Sequence, residues 1–287
     1  MNNRLAMVAA FLLMAGSCLA AQELVSVASS RELVQALASN RTILLAPGQY
    51  LVSEVAQIAN PAVSWEEAFD GPELVITGLS NLTLRAQMGA TLLASPRYAF
   101  VLVFVDCRNL VLEGLTLGHT EPGECVGGVL RLDACGRVRI QGCDLFGSGV
   151  VGLDAADSTG ITIRASTIRD CSGGALWATR VRDLRLENTL IAGNGSYPLI
   201  SLDSAWTVVL QSCRIERNTG DLLLQIEGDS GEVALPGSEI RFNETGSLYE
   251  GSSPPDLSLT RVEENAFDLP VDEEGYEGEY EEEYDEQ

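Results

Sequence analysis

The sequence contains no lysine. All 18 of its basic residues are arginine, set against 41 Asp and Glu, for a net charge of −23. The missing amine excludes Schiff-base chemistry, Ser–Lys nucleophiles and Walker-type phosphate loops. The shortage of positive charge argues against nucleic acid, whose phosphates are met by a surplus of Lys and Arg, and against an anionic membrane surface. There is one histidine, His119, which leaves almost nothing for a Ser-His-Asp triad or a multi-His metal site. No Cys-x-x-Cys occurs among the seven cysteines, so no metal site is expected. Past the N-terminus no apolar run approaches the roughly 20 residues of a spanning helix, and no transmembrane segment is expected. What is present is apolar: 46% of the 287 residues are hydrophobic, enough for a large core.

The two ends differ from the middle. Residues 1–21 have the form of a signal peptide: Arg4, the apolar run Leu5 to Met14, then the small residues Ala15, Gly16, Ser17, Ala20 and Ala21. Cleavage after Ala20 or Ala21 would deliver an exported protein to the periplasm or the medium. Alternatively, Ala15-Gly16-Ser17-Cys18 resembles a bacterial lipoprotein box with Cys18 as the lipidated residue, although Ala15 stands where that box has Leu. At the other end, residues 272–287 hold ten acids and no base. Such a block repels itself, so a disordered acidic tail is expected. Residues 22–271 are left as one domain with its end caps.

The middle repeats. The segments NLTLRA, NLVLEG, RVRIQG, GITIRA, DLRLEN, TVVLQS and EVALPG place Leu82, Leu110, Val138, Ile161, Leu184, Val208 and Val233 at spacings of 23 to 28 residues. Two residues after each comes another aliphatic, from Leu84 to Leu235, the period of a strand with one buried face. Seven residues after the anchors stand Leu117, Leu145, Ile168, Ile191, Ile215 and Ile240, a second short strand. A third apolar stretch precedes each anchor, as in VLVFV (101–105) and YPLISL (197–202). Three strands per repeat, stacked repeat on repeat, make a parallel β-helix. Leucine-rich repeats fit poorly because Asn follows the second strand and no repeat holds a helix-length stretch; propeller blades are longer. Coils of this size and the usual crossover hand point to the right-handed form.

Ten residues after the anchors stand Thr120, Ser148, Cys171, Asn194, Asn218 and Asn243, a column whose amides would hydrogen-bond along the stack. Five after them stand Leu115, Cys143, Ser166, Thr189, Cys213 and Ser238, a small inward column. Residues 29–39 carry Leu33, Val34 and Leu37 at helical spacing and are expected to cap the open end. Residues 56–73 fit no coil and form an insertion, and residues 244–271, with Ser252-Ser253-Pro254-Pro255, are expected to leave the solenoid and cover its far end.

The coil pattern from 74 to 243 resembles the pectin-lyase-like right-handed β-helix superfamily, and the run GLTLGHTEPGECVGGVLRLDAC (114–135) with VRIQGCDLFGSGVVGL (138–153) is similar to exported bacterial β-helix-repeat proteins of unassigned activity. The resemblance implies an all-β, single-stranded right-handed solenoid and a polysaccharide partner. It does not imply one reaction, because lyases, hydrolases, epimerases and non-catalytic binders share the fold. The polygalacturonase-type signatures fail: there is Gly118-His119-Thr120 in place of Gly-His-Gly, no Asp-Asp, and Arg214-Ile215-Glu216 in place of Arg-Ile-Lys. No cofactor is expected. Calcium held by Asp, as in pectate lyases, is the one alternative.

Three places carry candidate chemistry. The long loop 117–128 holds His119 and Glu121, and Asp154 with Asp157 form the best local carboxylate pair for a glycosidase. These four are the candidate catalytic residues, weighed against ordinary turn roles for Asp and a structural role for a lone His. On the outward side of the anchor strands, Arg139, Arg164 and Arg185, with Arg137 and Arg85, form a positive stripe suited to an anionic glycan. The competing account is cross-coil pairing with Glu113, Glu187 and Asp183. Cys107 and Cys135 stand three residues before their anchors in adjacent coils, at a separation compatible with a disulfide. The expected protein is an exported monomer that engages an extracellular or cell-envelope polysaccharide, anionic if the arginines bind it. A lyase or hydrolase acting at 117–128, or a structural surface spacer, are the rivals.

Overall fold

The computed structural model describes residues 22–87, 89–121 and 126–267. The proposed signal peptide, Cys18 and the acidic tail lie outside them. The chain winds as a right-handed solenoid with three long parallel sheets, here A, B and C. Sheet A runs from Glu23–Val27 and Arg41–Leu45 through the anchor strands to Val233–Ala234. Sheet B runs from Gly48–Leu51 to Arg261–Glu263, and sheet C carries the third strand of each coil.

The register is the one expected from the repeat. Leu82 pairs with Leu110, Leu110 with Val138, Val138 with Ile161, Ile161 with Leu184, Leu184 with Val208 and Val208 with Val233. All seven are buried. In sheet B, Leu117, Leu145, Ile168, Ile191, Ile215 and Ile240 form a second unbroken ladder. Each coil therefore contributes alternate aliphatics from three strands to one continuous core, and no coil could bury them alone.

Tight corners join the sheets, and they follow one rule. The chain leaves a strand through a residue at positive φ, then buries the next side chain, most often Ser, Thr, Cys or Asn, then enters the next strand. Between sheets C and A the turning residues include Asp106, Ala134, Asp157, Arg180 and Ser204; between A and B, Gly142, Ala165, Asn188 and Ser212; between B and C, Gly147, Asp170, Gly193, Arg217 and Phe242. Non-glycine residues pay about 1–2 kcal/mol for this conformation. Where the buried residue that follows is Ser or Asn, it offsets this by satisfying backbone groups across coils. Ser158 Oγ accepts from Cys135 N at 2.9 Å and Ser166 Oγ from Cys143 N at 3.1 Å.

At the B-to-C corner the same job is done by amides. Asn194, Asn218, Asn243 and Asn265 stack, each Oδ1 accepting the backbone N–H of the corner residue one coil earlier at 3.0 Å. Along Asn194–Asn218–Asn243–Asn265 each Nδ2 also donates to the next Oδ1 at 2.8–3.0 Å. Thr120 is exposed and stands outside this column, whereas Asn265 extends it.

The capping helix α1 spans Ser30–Ala36. Ser29 accepts from Glu32 N at 3.2 Å and the Glu32 carboxylate accepts from Ala28 N at 2.7 Å, a reciprocal cap. Leu33, Val34 and Leu37 close the end of the core. The insertion becomes Val63–Ala68, which pairs antiparallel with Gly71–Thr77 and shields the edge of sheet C with Glu66 and Glu67 exposed. The expectation that residues 244–271 leave the solenoid is corrected: Glu244–Gly251 pairs parallel with Thr219–Glu227, and Arg261–Glu263 with Glu239–Arg241. The Pro254-Pro255 stretch lies between these strands, where a donor is not needed. No helix among the described residues is long and apolar enough to cross a membrane.

Candidate functional site

The outward face of sheet A carries a shallow groove of about 480 Å³. It crosses four coils, from Asn109 past Arg137, Arg139 and Thr162 to Asp183 and Arg185. Two columns form it. One is the residue before each anchor (Asn81, Asn109, Arg137, Gly160, Asp183), where positive φ bulges the backbone out of the ladder. The other is the residue after each anchor, whose side chain points outward by strand alternation: Val111, Arg139, Thr162 and Arg185 in register.

The arginines of the stripe are not equivalent. Arg139 is exposed and has no carboxylate partner among the described residues. Arg137 Nε donates to Asn109 Oδ1, a neutral partner that aims it without cancelling its charge. Arg185 Nε donates to Asp183 Oδ1 at 2.9 Å. Arg139 and Arg185 share one column with Thr162 between them, about 10 Å apart at two strand spacings. Arg164 stands two residues along, in the column of Gln141 and Glu187, and lies 3.8 Å from Glu187. Arg85 donates to Glu113 at 2.7 Å. The stripe therefore divides into a groove cluster, Arg137, Arg139 and Arg185, and an outer row, Arg85 and Arg164, engaged by cross-coil carboxylates.

The four candidate catalytic residues do not converge. His119 ends a sheet B strand and is 2% exposed, with Nε2 donating to the Ala99 carbonyl at 2.9 Å. Burial pushes its pKa down, so near neutral pH it is an uncharged structural donor without a path to substrate. Glu121 is paired with Arg97. Asp154 lies on the outer face of sheet C, 3.2 Å from Arg131 Nε. Asp157 is a corner residue whose two oxygens accept from Arg180 Nε and Nη2 at 2.7 Å each. That bidentate bond holds its carboxyl below the usual range, the opposite of a general acid. Glu124 and Cys125 of the loop lie outside the described residues. No cluster of His, Cys, Asp or Glu among the described residues has the arrangement of a metal site.

Cys107 and Cys135, the expected disulfide pair, stand in adjacent coils as buried thiols with no disulfide bond between them. The corner rule gives the reason. A thiol there replaces a serine hydroxyl, and each points at carbonyls rather than at its neighbour alone. Cys107 Sγ lies 3.6 Å from Ile76 O and Cys135 Sγ 3.4 Å from Phe104 O. The hydrogen bond with Cys107 and then burial push the Cys135 thiol up. Cys143 and Cys213, in the A-to-B corner, are both pushed up to about 11 by burial. Cys135, Cys143 and Cys213 are inert by this measure, whereas the hydrogen bond with Cys135 holds the Cys107 thiol down.

Sheet C has an outer feature that the pattern did not disclose. Val75, Val103 and Val151 form a small second apolar cluster under Phe100. Gly127 and Gly128 permit it: a Cβ on Gly128 would fall 2.1 Å from the Phe100 ring, and one on Gly127 2.0 Å from Ala99 O. Arg131 lies over the Phe100 ring at 4.1 Å from its centroid.

A stack of three parallel sheets with a groove across the coils defines a protein of the β-solenoid class. The chain belongs to the right-handed β-helix family: the family model described as "Right handed beta helix region" matches residues 125–268, half of the sequence. Its fold is that of the pectin-lyase-like superfamily. It is similar to a pectate lyase (pelN) from Paenibacillus sp. 0602, at 11% identity and a TM-score of 0.62, over 86% of this chain and 78% of that one. It is also similar to an alginate lyase from Paenibacillus sp. str. FPU-7, at 10% identity and a TM-score of 0.44, over 86% and 99%. A third similar structure is PfbA, a surface adhesin of Streptococcus pneumoniae, at 9% identity and a TM-score of 0.42, over 75% and 63%. No curated protein matches the sequence. At these identities the likeness is one of fold.

Proposed function

We propose that this protein is an exported binder of an acidic polysaccharide, which lies across the coils in the sheet A groove. The observation that carries the reading is the placement of Arg137 and Arg139, which have no carboxylate partner among the described residues, in an open groove on a chain of net charge −23. Guanidinium groups favour carboxylate and sulfate through paired, charge-assisted hydrogen bonds. Asn109 and Thr162 beside them offer neutral partners for hydroxyls. The fold shared with a pectate lyase supports a glycan partner. Catalysis at the 117–128 loop has less to stand on, because His119 is buried and Glu121, Asp154 and Asp157 are engaged by arginines.

The test is a titration of the wild type and of an Arg137→Ala/Arg139→Ala variant with polygalacturonate, alginate and a neutral glucan, each at two salt concentrations. The acidic polymers should bind the wild type, weaken with salt because exposed charges are screened over about 8–10 Å, and lose most affinity for the variant. Unchanged affinity in the variant would overturn the groove as the binding site. Assays for reducing ends and unsaturated uronate in the same incubations separate a binder from a hydrolase or a lyase.

A further inference from the structure

Beside the groove, where sheet C turns into sheet A, lies a second concavity of about 460 Å³. It is lined by Asp157, Ser158, Thr159, Arg180, Arg182, Ser204, Trp206 and Asp229. Arg182 and Trp206 open consecutive strands of sheet A and stand in register, one coil apart. Trp206 is 42% exposed. Its ring is backed from the following coil: a Cβ on Gly231 would lie 3.2 Å from Trp206 Cε3, and Gly231 N is fixed to Ala205 O at 2.8 Å. The absence of a side chain at 231 lets the backbone support the indole. On the preceding coil, Arg182 is exposed and has neither an ion pair nor a ring contact among the described residues. Its neighbour Arg180 is different, held bidentately by Asp157.

We infer that this corner is a subsite for one acidic sugar ring, stacked on Trp206 with its carboxylate or sulfate on Arg182. The inference rests on the proposed function and extends it to a second site. An indole offers a flat, polarisable, partly wet surface that suits the C–H face of a pyranose. A guanidinium without a partner one coil away suits an anionic substituent at the rim of that ring. Asp229, Ser204 and the Arg180–Asp157 pair complete the rim with groups that bond hydroxyls. Arg180 and Asp157 cancel in charge, which leaves Arg182 as the one unpaired cation of the rim and Asp229 as its one unpaired carboxylate among the described residues. The volume is within the range of small-ligand sites. Arg182 lines this concavity and the next residue, Asp183, lines the groove, so one polysaccharide strand can occupy both.

The test uses the full chain and three probes: oligogalacturonate, a sulfated oligosaccharide and a neutral glucan oligosaccharide. Binding is followed by calorimetry and by protection of tryptophan emission from acrylamide. For the wild type the acidic probe should shield Trp206. Trp206→Phe should bind by calorimetry but lose most of the optical change, and Trp206→Ala and Arg182→Gln should each weaken the acidic probe by at least about tenfold. Circular dichroism of the variants should match the wild type, since both residues are at the surface. If the wild type binds while Trp206→Ala and Arg182→Gln bind equally well, the subsite is rejected and the groove reading stands. Equal affinity for the neutral probe would overturn the acidic assignment. No binding of any acidic probe to the wild type would overturn the groove and the subsite together.

Discussion

Replacing Asn218 with Ala tests the logic of the corners most directly. Asn218 is fully buried and its side chain makes four hydrogen bonds. Oδ1 accepts from Asn194 N and from Asn194 Nδ2, both at 3.0 Å. Nδ2 donates to Ile191 O at 3.1 Å and to Asn243 Oδ1 at 2.9 Å. Truncation does not harm all of these partners equally. Asn194 Nδ2 keeps Ile168 O and Ala192 O, and Asn243 Oδ1 keeps the backbone N–H of residue 218. Asn194 N–H is left without a partner, whereas the Ile191 carbonyl keeps its place in the sheet B ladder. A stranded buried N–H costs about 1–3 kcal/mol, so the variant should lose at least about 1–3 kcal/mol. Asn265→Ala, at the half-buried end of the same column, should lose less, because water can reach the groups it strands. Urea denaturation followed by circular dichroism compares the two variants with the wild type, with coincidence of probes checked because stacked coils need not unfold all at once. Equal small losses below about 1 kcal/mol for both would refute the reasoning, since they would mean the ladder is replaceable by solvent throughout.

Ile163→Ala, in the middle of the sheet A core, should cost about 2–5 kcal/mol in the same denaturation experiment. Because burial depresses the pKa of His119, its unfolded form takes up a proton below about pH 6.5 while the folded form resists it. The part of the stability due to His119 should therefore fall as pH drops through that value, and His119→Asn should flatten this limb of a stability–pH profile. Cys143 and Cys213 should resist alkylation in the native protein and react once it is denatured, as read by peptide mass spectrometry.

The fold was legible because two periods coincide in the sequence: alternation within each strand and return of the anchor after 23 to 28 residues. The final coil was missed for a physical reason. Its sheet B member Val262 is 39% exposed, so the end of the stack lacks the apolar signal, and Pro254-Pro255 resembles an exit. The groove was half legible. Outward arginines can be counted from alternation, but which of them are free depends on the carboxylates around each: Arg164 meets Glu187 of the next coil, Arg185 meets its own Asp183, and Arg139 meets none among the described residues. Trp206 and Arg182 escaped because each precedes its anchor by two residues, across a bulge that breaks strand alternation; aligning those positions coil by coil would have placed them together. His119 and Glu121 stand out by the composition of a loop and Asp154 with Asp157 by closeness in sequence, and neither signal carries burial or pairing with arginine.

The corner rule also bears on how such a chain could change length. Each coil begins and ends at equivalent corners, and the segment from Ile161 to Asp183 is replaced in register by the one that begins at Leu184. Duplicating or deleting those 23 residues would join one turning residue to its equivalent and leave every remaining ladder intact. Insertion of part of a coil would displace the amide column from the sheets on either side of it. Lineages of this protein should therefore differ by whole coils, and the reach of the basic groove along the axis would be the trait on which such additions act.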